Sequence, residues 1–156
     1  MQVRVDVQVA VEADRFYLPS AAQLQRWVAQ ALQGRMAKAE LTIRMVDEDE
    51  SAALNSTYRH KSGPTNVLSF PFTADVPLAV PVLGDLVICA PVMTREAQAQ
   101  EKIPEAHWAH IVIHGTLHLL GFDHLSVVQA QDMETLEIGL MEQLGYTNPY
   151  ETGMPS

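Results

Sequence analysis

Val3, Val5, Val7, Val9 and Val11 alternate with Gln2, Arg4, Asp6, Gln8 and Glu12, and Ala10 is the one apolar residue in the outer row. A period of two sends one row to a core and the other to water, which predicts a half-buried strand. The period then changes: Leu24, Trp27, Val28, Ala31 and Leu32 recur at helical spacing behind Ser20, a capping residue, and ahead of Gly34, a stop. Residues 40–47 (ELTIRMVD) alternate again and predict a second strand, after which Asp47 or Asp49 can start a short helix carrying Ala53, Leu54 and Tyr58. HKSGPTN, residues 60–66, reads as a turn-forming loop. The following VLSFPF predicts a third strand, with Pro71 marking an edge or a strand end.

Pro77 and Pro81 bracket an irregular connection to a fourth strand, GDLVICA (84–90). Pro91 and Pro104 each sit where a helix can begin. From Glu105 to Leu120 the pattern is helical and stops at Gly121; a last helix is predicted from about Val127 to Leu144, closed by Gly145. No repeat, low-complexity tract or linker interrupts the series. The expectation is one α+β domain over residues 1–156, a four-stranded mixed sheet packed by helices. Met133, Met141 and the leucines between them lie at helical spacing and are expected to pack. Phe70, Phe72 and Phe122 are assigned to the core in preference to base stacking.

Composition agrees with a globular chain. With 47% hydrophobic and 19% charged residues among 156, a disordered or fibrous polypeptide is excluded. The N-terminal alternation is unlike a signal peptide, and no run approaches the ~20 apolar residues of a membrane span. The lone Cys89 has no internal disulfide partner and is expected as a small hydrophobe on a buried strand. These features suit a cytoplasmic protein with no membrane association.

Charge modifies the picture through its distribution. The net charge of -9 argues by itself against nucleic acid. Yet from residue 103 onward there are seven acidic residues and no Lys or Arg, while the first 102 residues hold all ten basic groups against twelve acidic ones. Five of the six histidines, His107, His110, His114, His118 and His124, fall in the segment without other cations. Imidazoles among carboxylates suit a metal ion better than a phosphate.

The informative stretch is HGTLHLLGFDH, residues 114–124. His114 and His118 lie about 40° apart on one helical face, one turn separated, so both rings can reach a single ion. Gly121 turns the chain and allows His124 to return as a third ligand of one zinc ion. Three nitrogens with an open fourth position is the arrangement of a catalytic zinc. His107 and His110 share the stripe as packing or ligand-supporting residues, and Asp123 either orients an imidazole or serves the turn. The spacing HxxxHxxGxxH is also that of the metzincin proteases, whose general base follows the first histidine; Gly115 stands there, so the protease reading lacks its base.

These residues carry a resemblance to a known family. LNSTYRHKSGPTNVLSFPF (54–72), LGDLVICAPV (83–92), EAHWAHIVIHGTLHLLGFDH (105–124) and LGYTNPY (144–150) resemble the YbeY endoribonucleases of bacteria, metal-dependent enzymes linked to small-subunit ribosomal RNA maturation. The likeness covers nearly the whole chain from residue 40. It implies a single-strand-specific endoribonuclease with zinc on His114, His118 and His124 and an essential arginine, Arg59, acting in 16S 3′-end maturation and ribosome quality control. Single-stranded ribosomal RNA, the small ribosomal subunit and its assembly factors are the implied partners. Lys61 and Arg44 are weaker candidates, for backbone phosphates or else for solvation alone, and Asn66 and Ser69 are candidates for phosphate, ribose or base, or else for capping the loop. Where the family commonly reads K-D-x-P-T, this chain has Lys61 followed by Ser62 and Gly63, which leaves position 62 without an acidic role. Two alternatives stand beside this reading: a ribosome-assembly binding protein with a structural zinc, and a metzincin-like metallohydrolase.

Overall fold

The alternating valines form an edge strand, β1 (Gln2–Ala10), whose Val3, Val5 and Val7 are half-buried against the core. In this structure, a computed structural model, residues 2–72, 80–122 and 125–151 are described. Alternation slips at the strand's end, where Val9 is exposed and Ala10 turns inward to the opposite face. Helix α1 (Ala21–Leu32) follows, opened by a capping box in which Ser20 accepts from the Gln23 amide and the Gln23 side chain accepts from the Ser20 amide. That helix carries the chain back to β2 (Lys38–Val46), which pairs parallel with β1 from Gln2↔Lys38 to Ala10↔Val46. Parallel pairing requires such a crossover, and α1 supplies it.

Helix α2 (Glu48–Arg59) is capped by Asp47, with Glu48, Asp49 and Glu50 in its first turn and Arg59 in its last, each sign at the dipole end that favours it. Strand β3 (Val67–Pro71) then runs antiparallel to β4 (Val82–Cys89), and β4 pairs parallel with β2. The sheet order is β1-β2-β4-β3, mixed as expected, with Pro71 at the end of an edge strand where its missing N–H costs no ladder bond. Gly84 pairs with Pro71 at φ +141°, and a Cβ there would lie 2.1 Å from the Phe70 carbonyl oxygen, so only glycine fits this crossing.

The main core lies on one sheet face, where Leu24, Trp27 and Val28 of α1 meet the helix α4 (Pro104–Leu119), backed by α5 (Val127–Gln143). The opposite face is smaller: Val46, Leu68, Val87 and Cys89 pack under Leu54 of α2 and Val92 of α3 (Ala90–Ala99). Buried Cys89 takes the small-hydrophobe role. Helix α4 is enclosed nearly all round, which is why its sequence has no clean polar face. Two of the three phenylalanines depart from the expectation. Phe70 is half-buried against the Tyr58 ring, but Phe72, just past the edge strand, is 52% exposed, and Phe122, past the end of α4, is 37% exposed beside the Arg35 guanidinium. Aromatic residues just beyond the end of an element lose the packing surface that the element provides. No helix among the described residues is long and apolar enough to cross a membrane.

Candidate metal centre

Helix α4 carries four histidines on one stripe, and acidic residues from two other helices meet them. His107 Nε2 lies 2.9 Å from Glu96 Oε1 of α3, an oxygen that also accepts from the Asn66 amide at 3.2 Å. One turn on, His110 Nε2 lies 2.6 Å from Oε1 of Glu137 on α5, and His114 Nδ1 lies 3.0 Å from the same oxygen. The Tyr150 hydroxyl donates to both Glu137 oxygens at 3.0 Å. At the stripe's end the Nε2 atoms of His114 and His118 face each other at 3.1 Å.

Glu137 has no solvent exposure. Burial alone would raise its carboxyl, but the hydrogen bonds from His110 and His114 and the field of those rings outweigh it and hold the group at about 2. His110 moves downward because burial disfavours its cation more than Glu137 restores it. Tyr150 is pushed well above its ordinary value by burial and by the Glu137 charge, so its phenol stays protonated and donates. For Glu96, burial again opposes ionisation, and the hydrogen bonds from His107 and Asn66 reverse it to a lowered carboxyl. The stripe is therefore a line of imidazoles held by two ionised carboxylates.

This donor set fits a metal ion in two respects. His110, His114 and Glu137 each offer a ligand atom, all within 4.8 Å of one another. The 3.1 Å between the His114 and His118 Nε2 atoms is close to the ~3.3 Å that separates two nitrogens around a tetrahedral ion with bonds of about 2.0–2.1 Å. Without an ion the contact is a hydrogen bond between the two rings, in which His114, its Nδ1 proton held by Glu137, supplies the accepting Nε2. His124 and Asp123, the remaining members of the expected turn, lie outside the described residues.

Gly115 occupies the place of a metzincin general base, and the fold explains the glycine. A Cβ at 115 would lie 2.8 and 3.2 Å from the two methyls of Leu86, so this side of α4 rests directly on the sheet. A carboxylate there would be driven into β4 and away from the histidine stripe.

The other expected site residues lie on α2, the 60–66 loop and β3. Arg59 ends α2, fully on the surface, with no carboxylate at ion-pair distance among the described residues. Arg44, by contrast, is committed to Glu50 through two bonds of 2.5 and 2.9 Å and to Gln8. Lys61 is exposed in a loop pinned from inside: Ser51 Oγ accepts from the Thr65 amide and donates to its carbonyl, and Asn55 Nδ2 donates to the Gly63 carbonyl. Asn66 turns inward, its Oδ1 accepting from the Val67 amide and its Nδ2 reaching Glu96. Ser69 is half-buried on β3 opposite Leu86. Asn66 thus links the loop that starts beyond Arg59 to the His107 end of the stripe.

Glu137, Glu96 and Tyr150 are not among the site residues expected from the sequence. Glu137 had a usable signal, because it sits four residues after Met133 and four before Met141, on the buried stripe of α5. A carboxylate in an apolar row is rarely left without partners. Glu96 and Tyr150 carried no comparable signal.

Comparison with known proteins agrees with this architecture. The solution structure of TM1509 from Thermotoga maritima is 20% identical and superposes with a TM-score of 0.58, covering 94% of this chain and 99% of that one, a likeness of fold. The profile described as endoribonuclease YbeY matches residues 8–145, which include strands β2 to β4, the pinned loop and the whole histidine stripe. That span takes in nearly the entire chain, and the chain belongs to the YbeY endoribonuclease family.

Proposed function

We propose that this chain, as one metallo-endoribonuclease domain over residues 1–156, is a zinc-dependent enzyme that hydrolyses phosphodiester bonds in single-stranded ribosomal RNA. Its place is in 16S 3′-end maturation and ribosome quality control in the cytoplasm, with the small ribosomal subunit and its assembly factors as partners. The observation that carries the reading is the facing pair of Nε2 atoms on His114 and His118, half-buried, with the second nitrogen of His114 held by the Glu137 carboxylate. His124 completes the ligand set in this proposal. A zinc ion held by His114, His118 and His124 would supply Lewis acidity toward a phosphate oxygen and would make water at the site more acidic.

The chain's own residues do the rest. Arg59 presents a planar guanidinium to two phosphate oxygens, a geometry that an ammonium does not reproduce, and it meets charge that builds during cleavage. Lys61, from the pinned loop beside it, adds a cation for the RNA backbone. Asn66 and Ser69 serve as substrate contacts, Asn66 by exchanging its bond to Glu96 for one to RNA. Because the positive groups are few and the net charge is -9, RNA is gripped at one small site and not along a broad basic surface.

The test is incubation of metal-defined protein with single- and double-stranded RNA, comparing wild type with Arg59→Glu and His114→Ala. Cleavage of single strands only, lost in both variants, is expected. Cleavage that survives in a well-folded His114→Ala protein without metal would overturn the metal-dependent reading.

A further inference from the structure

Glu137 is the most completely enclosed charged group among the described residues, and three donors converge on it from two segments: His110 and His114 of α4 and Tyr150 of the C-terminal segment. A carboxylate without a proton only accepts, so each facing atom must carry the hydrogen. For His114 this has a specific consequence. With the proton on Nδ1, the lone pair is on Nε2, the atom that faces His118. For His110 the proton is on Nε2, which removes that nitrogen from the pool of ligands.

We infer that Glu137 is the positioning carboxylate of the metal centre, holding His114 in the ligating tautomer and orientation, and that Tyr150 is the latch that holds Glu137. The inference rests on the reading of His114 and His118 as ligands. It differs from direct ligation by Glu137, which would require the ion to displace the donors that already occupy Oε1. The geometry favours the outer role, since three donors at 2.6 to 3.0 Å already converge on Oε1, the oxygen that meets both rings, without an ion. A histidine ligand whose second nitrogen donates to a carboxylate is more basic and less free to rotate.

The latch is itself anchored. Lys102 Nζ donates to the Pro149 carbonyl, and Asn148 Oδ1 accepts from the Tyr150 amide at 2.8 Å. The Tyr150 ring stands edge-on to His110, with centroids 5.1 Å apart. Residues 148–150, far from the histidines in sequence, are in this way part of the centre. Tyr150 is 45% exposed at the residue level while its hydroxyl is engaged, so its removal leaves the core intact.

The experiment is competitive chelator titration of zinc, with cobalt absorption spectra, on wild type, Glu137→Gln, Tyr150→Phe and His114→Ala. Glu137→Gln is expected to weaken metal binding by roughly 10–100-fold while the cobalt spectrum keeps the wild-type ligand field. Tyr150→Phe, which keeps the ring and loses only the hydroxyl, is expected to weaken it less and in the same direction, and it serves alone should the Gln variant fail to fold. Wild-type affinity in folded Glu137→Gln or in Tyr150→Phe, or a spectrum showing one ligand lost in Glu137→Gln, would overturn the inference. Wild-type affinity in His114→Ala would overturn the ligand reading first, and the inference with it.

Discussion

Nδ1 of His114 and Oε1 of Glu137 lie 3.0 Å apart, joining the middle of α4 to the middle of α5 across a sequence separation of 23 residues. The contact belongs to a continuous line. Asn66, Glu96 and His107 form one end of it, and Tyr150, Glu137, His110, His114 and His118 form the other, with two adjacent turns of α4 as the connection. The half-buried Nε2 pair at its far end is where a cation fits.

Removing a ligand should separate metal content from fold. His114→Ala is expected to reduce bound zinc from about one ion per chain to near none, measured by elemental analysis after dialysis. Far-ultraviolet circular dichroism should stay unchanged, because the ring is half-buried and not part of the core. Full metal content in His114→Ala would refute its assignment as a ligand.

Arg59→Glu should behave in the opposite way. The side chain is exposed and unpaired among the described residues, so thermal stability and metal content are expected to match wild type. RNA cleavage should fall by roughly 100-fold or more, the scale for losing a positioned donor on developing charge. An equal fall in melting temperature would assign Arg59 a structural role.

Gly115 is constrained by packing. Gly115→Ala gains about 1 kcal/mol of helix propensity but forces its Cβ into Leu86, at a cost of about 1–3 kcal/mol, so a net destabilisation of about 1 kcal/mol is expected in urea titration. Combining it with Leu86→Val should recover part of that loss. Gly115→Glu, which restores the protease-like HExxH pattern, should unfold the chain or weaken it severely and yield no peptide hydrolysis.

The loop after Arg59 depends on two buried polar groups. Asn55→Ala removes the bond to the Gly63 carbonyl and should lower stability by about 1 kcal/mol. Cleavage should fall further than metal affinity does, because Lys61 and Arg59 flank the loosened segment. A proportional loss of both would show that the loop supports the metal centre directly.

Acid stability should carry the signature of Glu96. Its carboxyl is lowered in the folded protein from an ordinary 4.5, where the hydrogen bonds from His107 and Asn66 outweigh burial. The folded state therefore keeps this group ionised where the unfolded chain has begun to protonate it. The stabilisation is complete above about pH 4.5 and is lost as pH falls through the depressed folded value. In metal-free protein, Glu96→Gln should flatten this limb of the pH-stability curve and leave the lower limb of Glu137, near pH 2. An unchanged upper limb would contradict the assignment.

Hydrophobic period determined the elements of this protein: alternating valines made β1, the Leu24 to Leu32 row made α1, and the prolines and glycines placed the helix starts and stops, because these signals act within a few residues. The His114 and His118 pair was equally legible, since a four-residue spacing on a helix decides by itself that two rings share a face. Sheet order, the exposure of Phe72 and Phe122, and the partners of the histidines were decided only by tertiary packing. Glu96, Glu137 and Tyr150 reach the stripe from α3, α5 and the C-terminal segment, and no local pattern records which distant carboxylate will be enclosed beside which imidazole. Burial converts those acids from solvated surface charges into fixed acceptors, and that change of environment exists only once the chain has folded.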